Sequence, residues 1–190
     1  MLASQVAALQ GRAVERGIDL CVVGGWGVDA LLGAATREHN DLDVLLPLTA
    51  LHESLSFLAE EGFRLAYMWE ESRGIAGHHR LVGESIPSAF VVTHPDGREV
   101  DIHVYQPLAS GLVCLWDTDR ALVAEDLAAR GEIDGAPVRC MTAAMQLTCH
   151  RGYDLPPAHA ADVGLLQRLV RGACAPSVAP SPTDATDYQA

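Results

Sequence analysis

Residues 24–43 of the 190-residue chain have the sequence GGWGVDALLGAATREHNDLD. This segment and the residues on either side of it predict a series of secondary-structure elements. The glycine pair at its start follows residues 20–23, a short apolar run typical of a buried strand. Residues 26–32 are predicted to be helical, because Gly33 supplies a typical C-terminal stop. A second strand is predicted over 42–46. The segment therefore predicts the order strand, glycine turn, helix, polar loop and strand.

Outside this segment, helical and strand patterns continue to alternate. Residues 2–16 have apolar positions on one helical face, and residues 50–61 are predicted to form a helix capped by Thr49. Turn signals at 94–97 and 134–135 each predict a β-hairpin. We therefore expect an α/β (α+β) fold with helices on one mixed, twisted sheet and a small helical C-terminal part. The remaining predicted elements are strands at 63–69, 79–82, 88–93 and 99–105, a helix from Thr142 to 151, and a helix over 157–171.

Three aspartates form the strongest candidate site for chemistry. Asp41 and Asp43 stand two positions apart at the start of a predicted strand, so their side chains project from the same face. Carboxylates this close raise each other's pKa unless a cation lies between them, and Mg²⁺ is well suited because it prefers oxygen ligands, including those of phosphates. Asp101, on a later strand that also carries His103, would complete a site for two such ions.

The glycine pair Gly24-Gly25 is expected to face a phosphate group. Without Cβ atoms its backbone can approach a phosphate closely, and the N–H groups at the following helix start point towards an anion. Arg37, in the loop before Asp41, can neutralise a leaving pyrophosphate. Each motif is common when it occurs alone, but their combination in this order predicts phosphoryl-type transfer, which needs mainly positioning and charge neutralisation.

The charge of the chain narrows the range of partners. The formal net charge is −12, which disfavours a nucleic-acid partner because both would be negative. All 13 basic residues are arginine, so a P-loop lysine and a Schiff-base lysine are both excluded. The acidity fits a cationic ligand, and a solvated acidic surface is the alternative interpretation.

The cellular compartment is predicted from three negative features of the sequence. The five cysteines are scattered without a C-x-x-C pair, which indicates neither a disulfide framework nor a zinc site. No apolar run approaches the ~18 residues of a membrane span. The first residues lack the basic start and apolar centre of a signal peptide. We therefore expect a soluble, cytoplasmic protein; the sequence leaves open whether it is a monomer or a homodimer.

Residues 24–43 and several shorter stretches strongly resemble the antibiotic nucleotidyltransferases of the DNA polymerase β superfamily. The similarity is closest to the lincosamide nucleotidyltransferases and next to the aminoglycoside 2″-nucleotidyltransferases. It covers roughly residues 15–170. The shorter stretches are Trp69 with Ser72-Arg73, Val100-Asp101-Ile102-His103, Val138-Arg139-Cys140, and His150-x-Gly152-Tyr153-Asp154-Leu155 with Asp162-Val163.

The resemblance implies an enzyme with a nucleotidyltransferase fold: a core over 1–110 and a C-terminal hairpin and helical part over 111–173. The Pro-rich composition of 174–190 predicts a disordered tail. The family chemistry requires Mg²⁺, an NTP donor and a hydroxyl on a small antibiotic-like acceptor. Carried onto matching positions, the resemblance makes Asp41, Asp43 and Asp101 both catalytic and metal-binding, with Asp101 accepting the hydroxyl proton, and makes Gly24, Gly25, Arg37 and His39 nucleotide-binding.

A further set of predictions concerns the acceptor. Trp69, Arg73 and His103 are candidates for contact with it, and Trp26 and Trp69 could either stack on a ring or pack in the core. Segment 74–87 is longer than its family counterpart and matches none of the family's segments, and its His78-His79 pair either faces the substrate or is an exposed loop pair. Three further residues receive non-catalytic predictions: Asp29 is expected to bond the loop that carries Arg37, and His150 and Asp162 are expected to pack between helices.

Two other functions fit the same residues. The fold could act on a protein or tRNA acceptor, although the net charge of −12 argues against tRNA. Alternatively, the scaffold could serve other chemistry or ligand binding on a small metabolite in a biosynthetic pathway. The three aspartates argue against a purely structural protein, and fold alone does not decide between these functions.

Overall fold

The computed structural model describes residues 1–69, 78–81, 84–109, 111–115, 121–151 and 154–173. The predicted tail at 174–190 and Arg73 lie outside these residues. The helices of the structure are α1 (Ala3–Glu15), α2 (Gly24–Leu32), α3 (Leu51–Glu60), α4 (Ala143–Cys149) and α5 (Pro157–Ala173). Its strands are β1 (Cys21–Val22), β2 (Asp41–Pro47), β3 (Arg64–Met68), β4 (His78–Leu81), β5 (Glu84–Pro87), β6 (Ala89–Thr93), β7 (Glu99–Leu108), β8 (Gly111–Cys114), β9 (Ala121–Leu122), β10 (Ala129–Ile133) and β11 (Ala136–Cys140).

Among the described residues, nine strands form one mixed sheet in which the order β10-β11-β1-β2-β7-β6-β3 runs across the centre, with β8 and β9 extending from β7. β2 and β7 are parallel neighbours, and their register places Asp43 opposite Asp101. The other pairs along the centre are antiparallel, apart from β1 with β11. The predicted mixed sheet flanked by helices is therefore confirmed. Separately, β4 and β5 pair as a two-stranded hairpin within segment 74–87.

The two faces of the central strands have different partners. Alternate residues such as Leu42 and Ile102 are fully buried and pack in one core with residues of α1, α2 and α3. The opposite face carries Leu45 and Tyr105, which pack in a second, smaller core with Met145 of α4. Because strand side chains alternate between faces, Asp41, Asp43, Asp101 and His103 all lie on the face of the second core.

Local turn and cap chemistry explains most of the element boundaries. Asp134 and Gly135 have φ values of 51° and 76°, as the predicted tight hairpin turn between β10 and β11 requires. The Thr142 hydroxyl accepts the Met145 N–H at 3.3 Å, which confirms the predicted cap of α4. The predicted cap at Thr49 is wrong: α3 has Ala50 at its N-cap with no side-chain cap, because the chain enters it through a 3₁₀ turn. None of the helices in the described ranges is long and apolar enough to span a bilayer.

Candidate active site

Side chains from β2 and β7 form a compact acidic cluster, which we define as Asp43, Asp101 and His103. One potential ligand atom from each lies within 4.8 Å of the others, which is close enough for a single metal ion to be shared. Asp101 is 6% exposed, whereas Asp43 and His103 are half-buried. The parallel register of β2 and β7 creates this cluster, because it sets Asp43 directly beside Asp101 on one face of the sheet.

Burial and negative charge both shift the pKa values of residues in the acidic cluster. Burial, together with the negative charges of Asp41 and Asp101, raises the pKa of Asp43 to about 7. His103 responds in the opposite direction: burial lowers its pKa, but the hydrogen bond and charge of Asp101 outweigh burial, so the pKa is raised. A bound cation would relieve the repulsion between the carboxylates.

Asp41 stands slightly apart from the acidic cluster. It lines the same cavity on the same strand, two residues before Asp43. Its carboxylate nevertheless is not among the three potential ligand atoms that lie within 4.8 Å of one another, which belong to Asp43, Asp101 and His103. The structure thus places His103, which the sequence assigned to the acceptor, next to the carboxylates of Asp43 and Asp101.

Asp101 is held by two side chains. The Trp69 indole N–H donates to both carboxylate oxygens at 2.9 Å, and His103 Nε2 lies 3.5 Å from Oδ1. Trp69 also contacts Tyr67 edge to face, with ring centroids 5.3 Å apart. The sequence predicts stacking or core packing for Trp69 and does not predict its bond to the carboxylate, since the two residues are 32 positions apart and no local pattern connects them.

The glycine pair makes room for the protein's own side chains. Gly24 has φ +59°, and a Cβ there would lie 2.7 Å from Asp43 Cγ and still closer to Oδ2. A Cβ on Gly25 would lie 2.6 Å from Arg37 Nη2 and would overlap the His39 ring. The sequence predicted that these glycines allow a phosphate to approach. Their first structural effect is to let Asp43, Arg37 and His39 pack against the start of α2.

Two buried carboxylates, those of Asp29 and Asp162, hold the loop before β2 in place. Asp29 accepts hydrogen bonds from the Thr36 N–H at 3.1 Å and the Thr36 hydroxyl at 2.5 Å, and it lies 2.6 Å from His39 Nε2. Burial alone would raise the pKa of Asp29, but the bonds from His39 and Thr36 outweigh it, so the pKa lies below its usual range. Arg37 pairs with Asp162 of α5 at 2.7 Å. The expected bond between Asp29 and this loop is therefore present.

A cavity of about 590 Å³ adjoins these groups, a volume that suits a small ligand. His150 and Asp162, to which the sequence assigned helix packing, both lie on its wall. His159 of α5 stands edge-on to His150 with ring centroids 5.5 Å apart, and burial together with His150 lowers the pKa of His159. The rest of the wall comes from the glycine turn, the loop before β2, the acidic cluster, and Leu45, Met141, Gln146, Cys149 and Ala158.

Comparison with known proteins identifies similar sequences over most of the chain. The sequence model of a family described as aminoglycoside-2″-adenylyltransferase matches residues 5–166. A lincosamide resistance protein of Staphylococcus haemolyticus is 24% identical over 146 residues, which cover 77% of this chain and 82% of that protein. A 2″-aminoglycoside nucleotidyltransferase of Escherichia coli is 49% identical over a stretch of 35 residues, 18% of this chain and 20% of that protein.

Two solved structures have a similar fold. ANT(2″)-Ia in complex with adenylyl-2″-tobramycin has a TM-score of 0.67 at 21% identity, covering 88% of each chain. The lincosamide antibiotic adenylyltransferase LnuA with lincomycin bound also has a TM-score of 0.67, at 20% identity over 86% of this chain and 95% of its own. The predicted nucleotidyltransferase fold and the predicted resemblance to antibiotic nucleotidyltransferases are both confirmed.

Proposed function

The chain belongs to the aminoglycoside-2″-adenylyltransferase family, and we propose that it transfers an NMP group from an NTP to a hydroxyl of a small antibiotic-like acceptor, releasing pyrophosphate. The observation that carries this proposal is the acidic cluster at the wall of a cavity of about 590 Å³, beside the glycine turn. Such a cavity can accommodate a small acceptor and the reacting end of a nucleotide together.

Asp41, Asp43 and Asp101 are proposed to hold Mg²⁺. The donor set fits this ion, because carboxylate oxygens are its preferred ligands. Burial and the charges of Asp41 and Asp101 raise the pKa of Asp43 to about 7, and a cation would remove the part that comes from charge repulsion. The bound ion would neutralise charge on the triphosphate. The nitrogen of His103 suits Mg²⁺ less well, so its proposed task is to bond Asp101 at 3.5 Å.

Asp101 is the proposed base for the acceptor hydroxyl. In the transfer, the hydroxyl oxygen forms a bond to the α-phosphorus of the NTP, and the bond from that phosphorus to pyrophosphate breaks. The hydroxyl proton moves to a carboxylate oxygen of Asp101. The Trp69 N–H at 2.9 Å from both oxygens supports this assignment, since it fixes the carboxylate plane before substrate arrives.

Gly24, Gly25, Arg37 and His39 are proposed to contact the triphosphate. Arg37 supplies the permanent positive charge, and its guanidinium lies against the Gly25 backbone at the start of α2. The N–H groups at this helix start favour an anion, and the arginine can add charge-assisted hydrogen bonds to leaving phosphate oxygens.

The acceptor is proposed to be a lincosamide or an aminoglycoside, the two antibiotic classes that appear in the names of similar proteins. His150 and His159, with Met141 and Cys149, supply the part of the cavity wall away from the proposed nucleotide groups. A cationic acceptor would also be attracted by the net charge of −12. Because NTP donors occur in the cytoplasm, we propose that location for the enzyme.

The test is a pyrophosphate-release assay with MgCl₂, each of the four common NTPs, and a panel of lincosamides and aminoglycosides. We expect release with at least one pair and a product heavier than the acceptor by one NMP group. Asp43→Asn should abolish it. Asp134→Asn, a matched change at an exposed turn residue, should retain it. A folded wild-type protein that releases no pyrophosphate with any pair would contradict the proposal.

A further inference from the structure

Outside the acidic cluster, the described part of the chain buries two more carboxylates, Asp29 and Asp162, each only 2% exposed. Burial of a charged carboxylate is unfavourable unless the group is paired and hydrogen-bonded. Both side chains find their partners in the same short segment, residues 36–39, which leads into β2. Because both carboxylates bind residues 36–39, we infer that they hold the same loop in place.

Asp29 fixes the orientation of the His39 ring. Its Oδ2 lies 2.6 Å from His39 Nε2, while its Oδ1 accepts both hydrogen bonds from Thr36. With Nε2 engaged, the Nδ1–Cε1 edge of the ring faces Gly25, where a Cβ would overlap it. Asp29 and Gly25 belong to the same helix, α2, so a single rigid element sets both the backbone and the ring that lies against it.

Asp162 fixes Arg37 in a comparable way. Arg37 donates from Nη2 to Asp162 Oδ2 at 2.7 Å and from Nε to Oδ1 at 3.3 Å, a two-point bond that holds the plane of the guanidinium. Its Nη1 donates to the Glu38 carbonyl at 3.1 Å. The same Nη2 lies 2.6 Å from the position of a Cβ on Gly25. Arg37 and His39 therefore meet at one glycine although they are held by different helices.

We propose that Asp29 and Asp162 are positioning residues for the nucleotide: they hold His39 and Arg37 against Gly25 so that both side chains face the triphosphate in advance of binding. The inference rests on the proposed function and deepens it. Preorganisation is the physical reason, since a long arginine side chain otherwise loses rotamer freedom when it binds phosphate. The two carboxylates contribute by orientation and do not touch the reacting atoms.

The first test is spectroscopic and needs neither metal nor substrate. In the wild-type protein, ¹⁵N NMR should find a proton on His39 Nε2 donated to Asp29, and this carboxylate lets Nδ1 hold a second proton for donation to phosphate. In Asp29→Asn the amide can donate to Nε2, so Nε2 should lose its proton and the ring can no longer contact phosphate as a cation. A proton on Nε2 in both proteins would overturn the assignment of Asp29. Thr36→Val is the matched control, because it removes a bond to Asp29 without altering the partner of His39.

The second test is calorimetric binding of Mg²⁺ with α,β-methylene-ATP. Asp29→Asn and Asp162→Asn should each weaken the Kd by about tenfold or more, the size of effect found when a carboxylate that orients a metal ligand is lost. Asp19→Asn, which removes a carboxylate 2.7 Å from Arg139 at a residue that does not line the cavity, should leave the Kd unchanged. An unchanged or tighter Kd in Asp162→Asn would overturn the proposal, because a tighter Kd would mean that Asp162 competes with phosphate for Arg37. If Asp29→Asn does not fold, Asp162→Asn decides by itself.

Steady-state kinetics then separates positioning from general damage to the fold. Positioning predicts a higher KM for the NTP with the KM for the acceptor unchanged, whereas equal changes in both would indicate a structural effect and overturn the inference. A wild-type protein that binds α,β-methylene-ATP but transfers nothing contradicts only the proposed function. A wild-type protein that does not bind the analogue overturns the nucleotide assignment in both proposals.

Discussion

Replacing Gly24 with alanine tests how the glycine turn and the acidic cluster depend on each other. Two separate effects are expected. Gly24 has φ +59°, where a residue with a Cβ is destabilised by about 1–2 kcal/mol. The new Cβ would also lie 2.7 Å from Asp43 Cγ, closer than non-bonded atoms approach, so the Asp43 carboxylate must move. Since 1 kcal/mol shifts the Tm of a chain of this size by roughly 2–4 °C, the backbone effect alone should lower Tm by about 2–8 °C.

Gly33→Ala is the matched control for this substitution. Gly33 has φ +67°, and a Cβ there would meet none of the described atoms within 4 Å. It should therefore show only the backbone-related loss of Tm by scanning fluorimetry, without disturbing Asp43. In the pyrophosphate assay Gly24→Ala should lose about a hundredfold or more in kcat, because a displacement of about 1 Å at a reacting group is enough for such a loss. If both variants keep the same activity, the reasoning about Gly24 and Asp43 is refuted.

Three other predictions follow from single contacts. Without metal, the wild-type Tm should fall as the pH rises from about 4 to 7. The pKa of Asp43 is raised in the folded protein, so this residue favours folding only while its carboxyl keeps its proton. Asp43→Asn should flatten this pH dependence of Tm, and an equal slope in both proteins would contradict the prediction. Trp69→Phe should lower kcat by about tenfold or more through loss of the charged hydrogen bond to Asp101, and an unchanged kcat would disprove the link. Gly131→Ala should lower stability by about 1–3 kcal/mol, measured by denaturant titration, because a Cβ would lie 2.5 Å from the α2 backbone; activity per folded molecule should be retained.

Local patterns in the sequence determined the parts of the molecule that depend on near neighbours. The two-residue spacing of Asp41 and Asp43 predicts one shared strand face, and both side chains line the same cavity. The dipeptide Asp134-Gly135 predicts the β10–β11 turn, and Thr142 predicts the start of α4. These inferences succeed because strand alternation, turn dihedrals and helix caps involve groups only two or three positions apart.

Only the tertiary structure decided which distant groups meet. Asp101 pairs with Trp69 across 32 positions and Arg37 pairs with Asp162 across 125, and neither pairing leaves a periodic trace in the sequence. The structure also adds a role for Gly24 that the sequence did not predict, since its missing Cβ leaves room for the Asp43 side chain. Such contacts depend on which strands become neighbours and in what register, and that choice is made by burial of the whole core at once.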